Sequence, residues 1–188
     1  MTLTYTGERN IPKLGFGKGQ EVLYEMCSTY TVDNFVLDIA CGVGWGTEIL
    51  ARKAKYVIGA DVSPEAIDYA RNEYNRDNIS YCVGDILQIP FTGGLFDTLV
   101  SVETIEHVPH CDIYKLISEC SRVLKPNGTF VFTTPNHDIY PYHPKNKDEF
   151  KGYHFWHYSA DELLKILKTF FNEIKIEKPG SLFVVCKK

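Results

Sequence analysis

Histidine is missing from 137 of the 188 residues: all six copies, His107, His110, His137, His143, His154 and His157, fall in one 51-residue window. Imidazole-based acid–base or metal chemistry is therefore confined to that window. No C-x-x-C pair occurs among Cys27, Cys41, Cys82, Cys111, Cys120 and Cys186, which argues against a zinc knuckle or a thioredoxin-type motif. Cys27, Cys82, Cys120 and Cys186 lie in apolar segments, where a thiol behaves as a small hydrophobe, and the chain reads as a reduced, cytoplasmic protein. No basic stretch followed by an apolar run opens the sequence, so no signal peptide is expected. No apolar run approaches ~18 residues, so no membrane span is expected either. Surplus cationic charge is also lacking. The 20 Lys and Arg against 24 Asp and Glu leave a net charge of −4, which argues against a nucleic-acid partner. Without repeats or low-complexity tracts, the length fits one domain.

What is present is an alternation. Residues 1–16 read as an irregular arm and 18–30 as a helix with Val22, Leu23, Met26 and Cys27 at helical spacing. FVLDI (35–39) and YVIGA (56–60) are short apolar runs of the kind that strands buried on both faces show, and ISYCV (79–83), FDTLVSV (96–102) and TFVFTT (129–134) read as three further strands. Helices are expected at about 45–54, from Pro64 behind a Ser63 cap, at 111–124, and at 159–170 behind a Ser159/Glu162 capping box. Pro126-Asn127-Gly128 reads as a turn, and NEIKIEK and SLFVVCK flank Pro179-Gly180 as a closing β-hairpin. Strands alternating with helices predict an α/β doubly wound sheet. The organisation is an arm and helix at 1–34, a core at 35–134, an insertion at 135–158, and a final helix and hairpin at 159–188.

Three features gather at C-terminal strand ends, where open α/β sheets bind ligands. Asp38-Ile39-Ala40-Cys41-Gly42-Val43-Gly44-Trp45-Gly46 is a glycine loop between a strand and a helix, suited to close approach of a ligand. Asp61 ends the second strand, where a carboxylate meets a ribose diol, and Asp85 follows the third. The G-x-G-x-G spacing departs from the G-x-G-x-x-G of dinucleotide folds, and 188 residues leave no room for an oxidoreductase substrate domain. The series VLDIACGVGWG, IGADVSPEAIDYAR, CVGDILQIPF, FDTLVSVETIEHV and RVLKPNGTFVFTTPN resembles class I S-adenosylmethionine-dependent methyltransferases over roughly residues 35–186. Asn127 stands where that family usually has glycine.

The resemblance implies a Rossmann-like seven-stranded sheet of order 3-2-1-4-5-7-6 with strand 7 antiparallel, and S-adenosyl-L-methionine as cofactor. It implies that Asp38 and the Gly42–Gly44 loop line the methionine part, that Asp61 holds the ribose hydroxyls, and that Asp85 and Ile86 bracket the adenine. Ala40 and Cys41 in the loop and Val62 beside Asp61 belong to the same cofactor set. Val102 and Glu103 would face the reactive methyl.

Glu103, Glu106 and His107 share one face if their segment is helical. Two carboxylates and an imidazole could hold a divalent metal; alternatively His107 is a general base, with Glu103 beside it, or the group is solvated and only packs. Similar turns occur in ubiquinone-type O-methyltransferases and in Hen-type small-RNA 2′-O-methyltransferases. The layout of the latter adds His154 to give a candidate tetrad of Glu103, Glu106, His107 and His154.

The insertion carries Tyr140, Tyr142, Phe150, Tyr153, Phe155, Trp156 and Tyr158, which suit a small-molecule, sugar or quinol-like acceptor or else pack as a satellite core. TGERNIP resembles the arm of glycan-associated methyltransferases, with Arg9 facing cofactor, acceptor or a surface partner. The expected reaction is methyl transfer to an oxygen or nitrogen. A metal-assisted RNA 2′-O-methyltransferase and a non-catalytic cofactor-binding subunit remain alternatives, as do a homodimer and a partner subunit.

Overall fold

A strand that is apolar at nearly every position must be covered on both faces, and the runs at 35–39 and 96–102 are, whereas the run at 79–83 lies at the sheet edge with Val83 exposed. The computed structural model describes residues 18–142, 154–178 and 180–188. One sheet contains β1 (Phe35–Ile39), β2 (Tyr56–Asp61), β3 (Ile79–Val83), β4 (Phe96–Val102), β5 (Leu124–Pro135), β6 (Glu173–Glu177) and β7 (Ser181–Lys187), in the order β3-β2-β1-β4-β5-β7-β6. β1 to β5 pair in parallel, and β7 runs antiparallel to both neighbours. The sheet order and the antiparallel seventh strand are those the sequence implied.

Side chains alternate across each strand, which divides the core in two. Val36, Val57, Val100 and Val131 pack beneath α1 (Lys18–Ser28) and α2 (Trp45–Ala51), against Tyr24, Cys27, Ile49 and Leu50. Leu37, Leu99, Phe130 and Phe132 pack on the other face beneath α4 (Ile113–Val123) and α5 (Ala160–Leu167), against Leu116, Ile117, Cys120, Leu163 and Leu167. Each such fully buried leucine or phenylalanine contributes about 1.5–3 kcal/mol. α3 (Pro64–Glu73) sets Ile67 and Ala70 against Tyr81.

The caps form as expected. Ser63 Oγ accepts from Ala66 N at 3.2 Å, and Ser159 and Glu162 cap one another reciprocally. Helix ends are shorter than the periodicity suggested: α2 stops at Ala51 and α5 at Leu167, and His110–Asp112 is a 3-10 turn leading into α4. β5 starts at Leu124, five residues early. The expected turn survives inside it as an irregularity, with Asn127 at φ 63° and residues 125–128 facing the single residue Asp97. Lys125 Nζ clamps it, 2.7 Å from Asp97 Oδ1. Among the described residues no helix is long and apolar enough to cross a membrane.

The neighbours of β1 are β2 and β4, so the strand order reverses beside it. That reversal opens a crevice at the C-terminal ends of β1 and β4.

Candidate active site

Ala40 and Gly42 take left-handed conformations, φ 62° and 56°, and so turn the chain sharply out of β1. A Cβ on Gly42 would meet no atom within 4 Å, so the space beside it is open. Asp61 Oδ2 accepts from Gly42 N at 2.9 Å, and Oδ1 accepts from Ser63 N at 2.9 Å. Burial raises the Asp61 carboxyl, opposed by those backbone donors. The strand-end acid is thus oriented by backbone amides. Val62 is 42% exposed beside it, and Asp85 is exposed while accepting from Leu87 N at 2.8 Å. Cys41, Ile86 and Val102 are buried, so any contribution of theirs is to wall or backbone.

Asp38 is fully buried among protein groups. Thr47 Oγ1 donates to its Oδ2 at 2.6 Å and Tyr24 Oη to its Oδ1 at 3.4 Å. Burial pushes its carboxyl up to about 7, although both hydrogen bonds pull it down. It ties the loop to α1 and α2. Its folded value lies above the ordinary 3.8, so its stabilising contribution is full below about pH 4 and is lost as pH rises through about 7. Asp38→Asn removes that dependence. The stability difference between the parent chain and the variant should swing by roughly 2–3 kcal/mol between pH 5 and 8, against the parent, in urea titrations. Gly46 lets Tyr24 reach Asp38: a Cβ there would stand 2.1 Å from the Tyr24 ring. Gly46→Ala is expected to cost about 1–3 kcal/mol of stability, read from the shift of the urea midpoint.

The acceptor side begins at Glu103, whose φ is 49°. Its N–H donates to Thr133 O and Oγ1, both at 3.1 Å, and Ile105–His107 then forms a 3-10 turn. The α-helical spacing invoked for Glu103, Glu106 and His107 therefore does not apply. Glu103 stands apart from the other three members of the expected tetrad because the left-handed kink precedes the helical turn. Its carboxyl is raised by burial, with Thr133 and Ser181 lowering it.

Glu106, His107 and His154 do come together: one ligand atom from each lies within 4.8 Å of the others. Glu106 is buried and accepts from Thr134 Oγ1 at 2.9 Å. His107 Nε2 lies 3.9 Å from Glu106 Oε1, and the His107 and His154 rings meet edge to face, centroids 4.7 Å apart. The returning insertion delivers His154. Phe155 N donates to Glu106 O at 2.6 Å, His157 N donates to Tyr142 O at 3.0 Å, and the fully buried Tyr158 anchors the segment beside Asn136. Burial, with His107 and His157 beside it, pushes His154 down to about 4, so it is neutral near pH 7. Its Nδ1 contacts His157 Nε2 at 2.6 Å, and His157 Nδ1 contacts Tyr140 O at 2.6 Å.

One carboxylate and two imidazoles suit zinc, manganese or iron rather than calcium. The same groups suit proton transfer. Outside the trio, exposed His110 stacks on Trp156 with centroids 4.3 Å apart. Tyr142, Phe155 and Trp156 are half-buried and Tyr140 is exposed; Arg9, His143, Phe150 and Tyr153 lie outside the described residues. Sequence reading missed Tyr24, Thr47, Thr134 and His157. Only His157 carried a signal, its H-x-x-H spacing from His154.

A family described as a methyltransferase domain matches residues 37–132. A probable S-adenosylmethionine-dependent methyltransferase of Mycolicibacterium smegmatis is 32% identical over 171 residues, 89% of this chain and 64% of that protein. The chain thus spans less than two thirds of that relative's length, and 60% of similarly named Mycobacterium tuberculosis proteins. A ubiquinone biosynthesis O-methyltransferase of Coxiella burnetii is 37% identical over 109 residues, 57% of this chain and 46% of that protein. In fold, the chain is similar to one from a complex of a Haloferax volcanii methyltransferase with the Trm112 methyltransferase activator. The TM-score is 0.75 at 19% identity, covering 89% of this chain and 88% of that one.

Proposed function

The chain belongs to the S-adenosylmethionine-dependent methyltransferase family, and from that premise we propose that it moves a methyl group to an oxygen or nitrogen of a small-molecule, sugar or quinol-like acceptor. The observation that carries this reading is the Asp61–Gly42 hydrogen bond, which joins the ends of β1 and β2 beside the strand-order reversal. A strand-end carboxylate held by two backbone amides beside a glycine turn suits a ribose diol. Asp61 would hold the ribose hydroxyls, residues 40–44 the methionine part, and Asp85 with Ile86 the adenine edge. S-adenosylmethionine supplies, when bound, a methyl group on a sulfonium, electrophilic enough to need no further activation.

The chain's own work is then orientation and proton removal. Holding an acceptor atom in line with the methyl is worth up to ~7–11 kcal/mol in well-oriented systems. An acceptor hydroxyl that gains the methyl must lose its proton, and His107, in the turn after β4, would take it. The test is calorimetry with S-adenosylhomocysteine, followed by labelled methyl transfer to a panel of sugar nucleotides, quinols, amines and RNA 3′ ends. Micromolar binding and a labelled small-molecule product are expected; no binding at millimolar ligand would overturn the proposal.

The Glu106–His107–His154 trio favours a metal-assisted form of the same reaction. Elemental analysis of the purified chain, with transfer assayed before and after chelation, decides it. One equivalent of metal and activity lost to chelator are expected, and full activity in the metal-free chain would remove this form. The activator complex among the similar folds raises the alternative of a cofactor-binding subunit, which activity of the chain alone would exclude.

A further inference from the structure

We propose that His157 is a positioning residue: seated on the Tyr140 carbonyl, it holds His154 as the Nδ1–H tautomer and so leaves the Nε2 of His154 unprotonated. A carbonyl oxygen can only accept, so the 2.6 Å contact of His157 Nδ1 with Tyr140 O places a hydrogen on that nitrogen. With His157 neutral, its other nitrogen is an acceptor. The 2.6 Å contact between His157 Nε2 and His154 Nδ1 therefore takes its hydrogen from His154. That leaves Nε2 of His154 bare, on the ring that meets His107 edge to face at 4.7 Å. A bare Nε2 can take a metal ion or an acceptor's proton, whereas an Nε2–H can do neither.

The geometry is built for this role. His157 is 8% exposed, and its own N–H is tied to Tyr142 O at 3.0 Å, so ring and backbone are both fixed. Such outer partners fix ring orientation in metal sites, and their removal typically costs 10–100-fold in affinity or activity. His157 reaches no reacting atom itself; it acts through His154. The inference rests on the acceptor-side reading given above, but its first test does not require activity.

Long-range proton–nitrogen correlation spectra of the full chain with labelled histidine report each tautomer, and His154→Gln assigns the relevant ring. His154 is expected as Nδ1–H in the parent chain, and in His157→Phe it should shift toward the Nε2–H form. His157→Gln, whose amide oxygen can accept from His154 Nδ1, should restore the parent pattern. Titration with zinc ion alone against a chromophoric chelator should show about 10–100-fold weaker binding in His157→Phe and recovery in His157→Gln. An Nε2–H His154 in the parent chain, or a pattern unmoved in folded His157→Phe, would overturn the proposal. If no acceptor were ever methylated, the tautomer result would still stand, so the two readings fail separately.

Discussion

Asp61→Ala is expected to weaken S-adenosylhomocysteine binding about a hundredfold in calorimetry, with the fold retained by circular dichroism. The side chain has two tasks in the site. It orients the Gly42 and Ser63 amides at 2.9 Å each, and in the proposed reading it also accepts from the ribose hydroxyls. Hydrogen bonds to a charged group are worth about 1.5–3 kcal/mol each. Losing a pair to a ribose diol therefore costs roughly 3 kcal/mol or more, which is two decades of affinity. The untethering of Gly42 adds to that loss, because its left-handed turn then has no partner across the crevice. Asp61→Asn should not rescue, since its amide nitrogen would face one of the two backbone donors. A dissociation constant unchanged in folded Asp61→Ala would remove the ribose role assigned to the β2 end.

The scaffold of this site was readable because local and global signals agree in it. Five short apolar runs, the Ser63 and Ser159 caps and the hairpin all point to one sheet, and its order follows from the resemblance. The failures share a physical cause. Glu103, Glu106 and His107 were grouped by helical spacing, but the segment kinks at φ 49° and then makes a 3-10 turn, and the periodicity of neither is written in the residue types. Asp38 was placed by the resemblance beside the methionine part of the cofactor. Its burial beneath Tyr24 comes from a helix packed on the sheet, and only that packing reveals it. His157 passed as one more histidine because its value lies in two contacts, one to a carbonyl 17 residues away. Motif positions are legible where backbone geometry alone sets them, and side-chain relays are not.

His107→Ala is expected to lower the rate of methyl transfer about 10²–10⁴-fold while leaving S-adenosylhomocysteine affinity unchanged. The separation follows from position. His107 closes the 3-10 turn after β4, whereas the groups that meet the cofactor in this reading come from the ends of β1, β2 and β3. A general base acts on the acceptor's proton only as the new bond forms, so its loss should appear in kcat and not in cofactor affinity. Glu103→Gln, whose carboxylate stands apart from the trio, should cost less than His107→Ala if proton removal runs through the imidazole. The acceptor also distinguishes the roles. An acceptor that is already an anion needs no base, so His107→Ala should slow it far less than a neutral hydroxyl. If His107 instead serves chiefly as a metal ligand, chelation of the parent enzyme should reproduce the variant's rate, and both acceptors should fall together. A His107→Ala enzyme as fast as the parent on a neutral hydroxyl would leave orientation alone as the catalytic contribution of this turn.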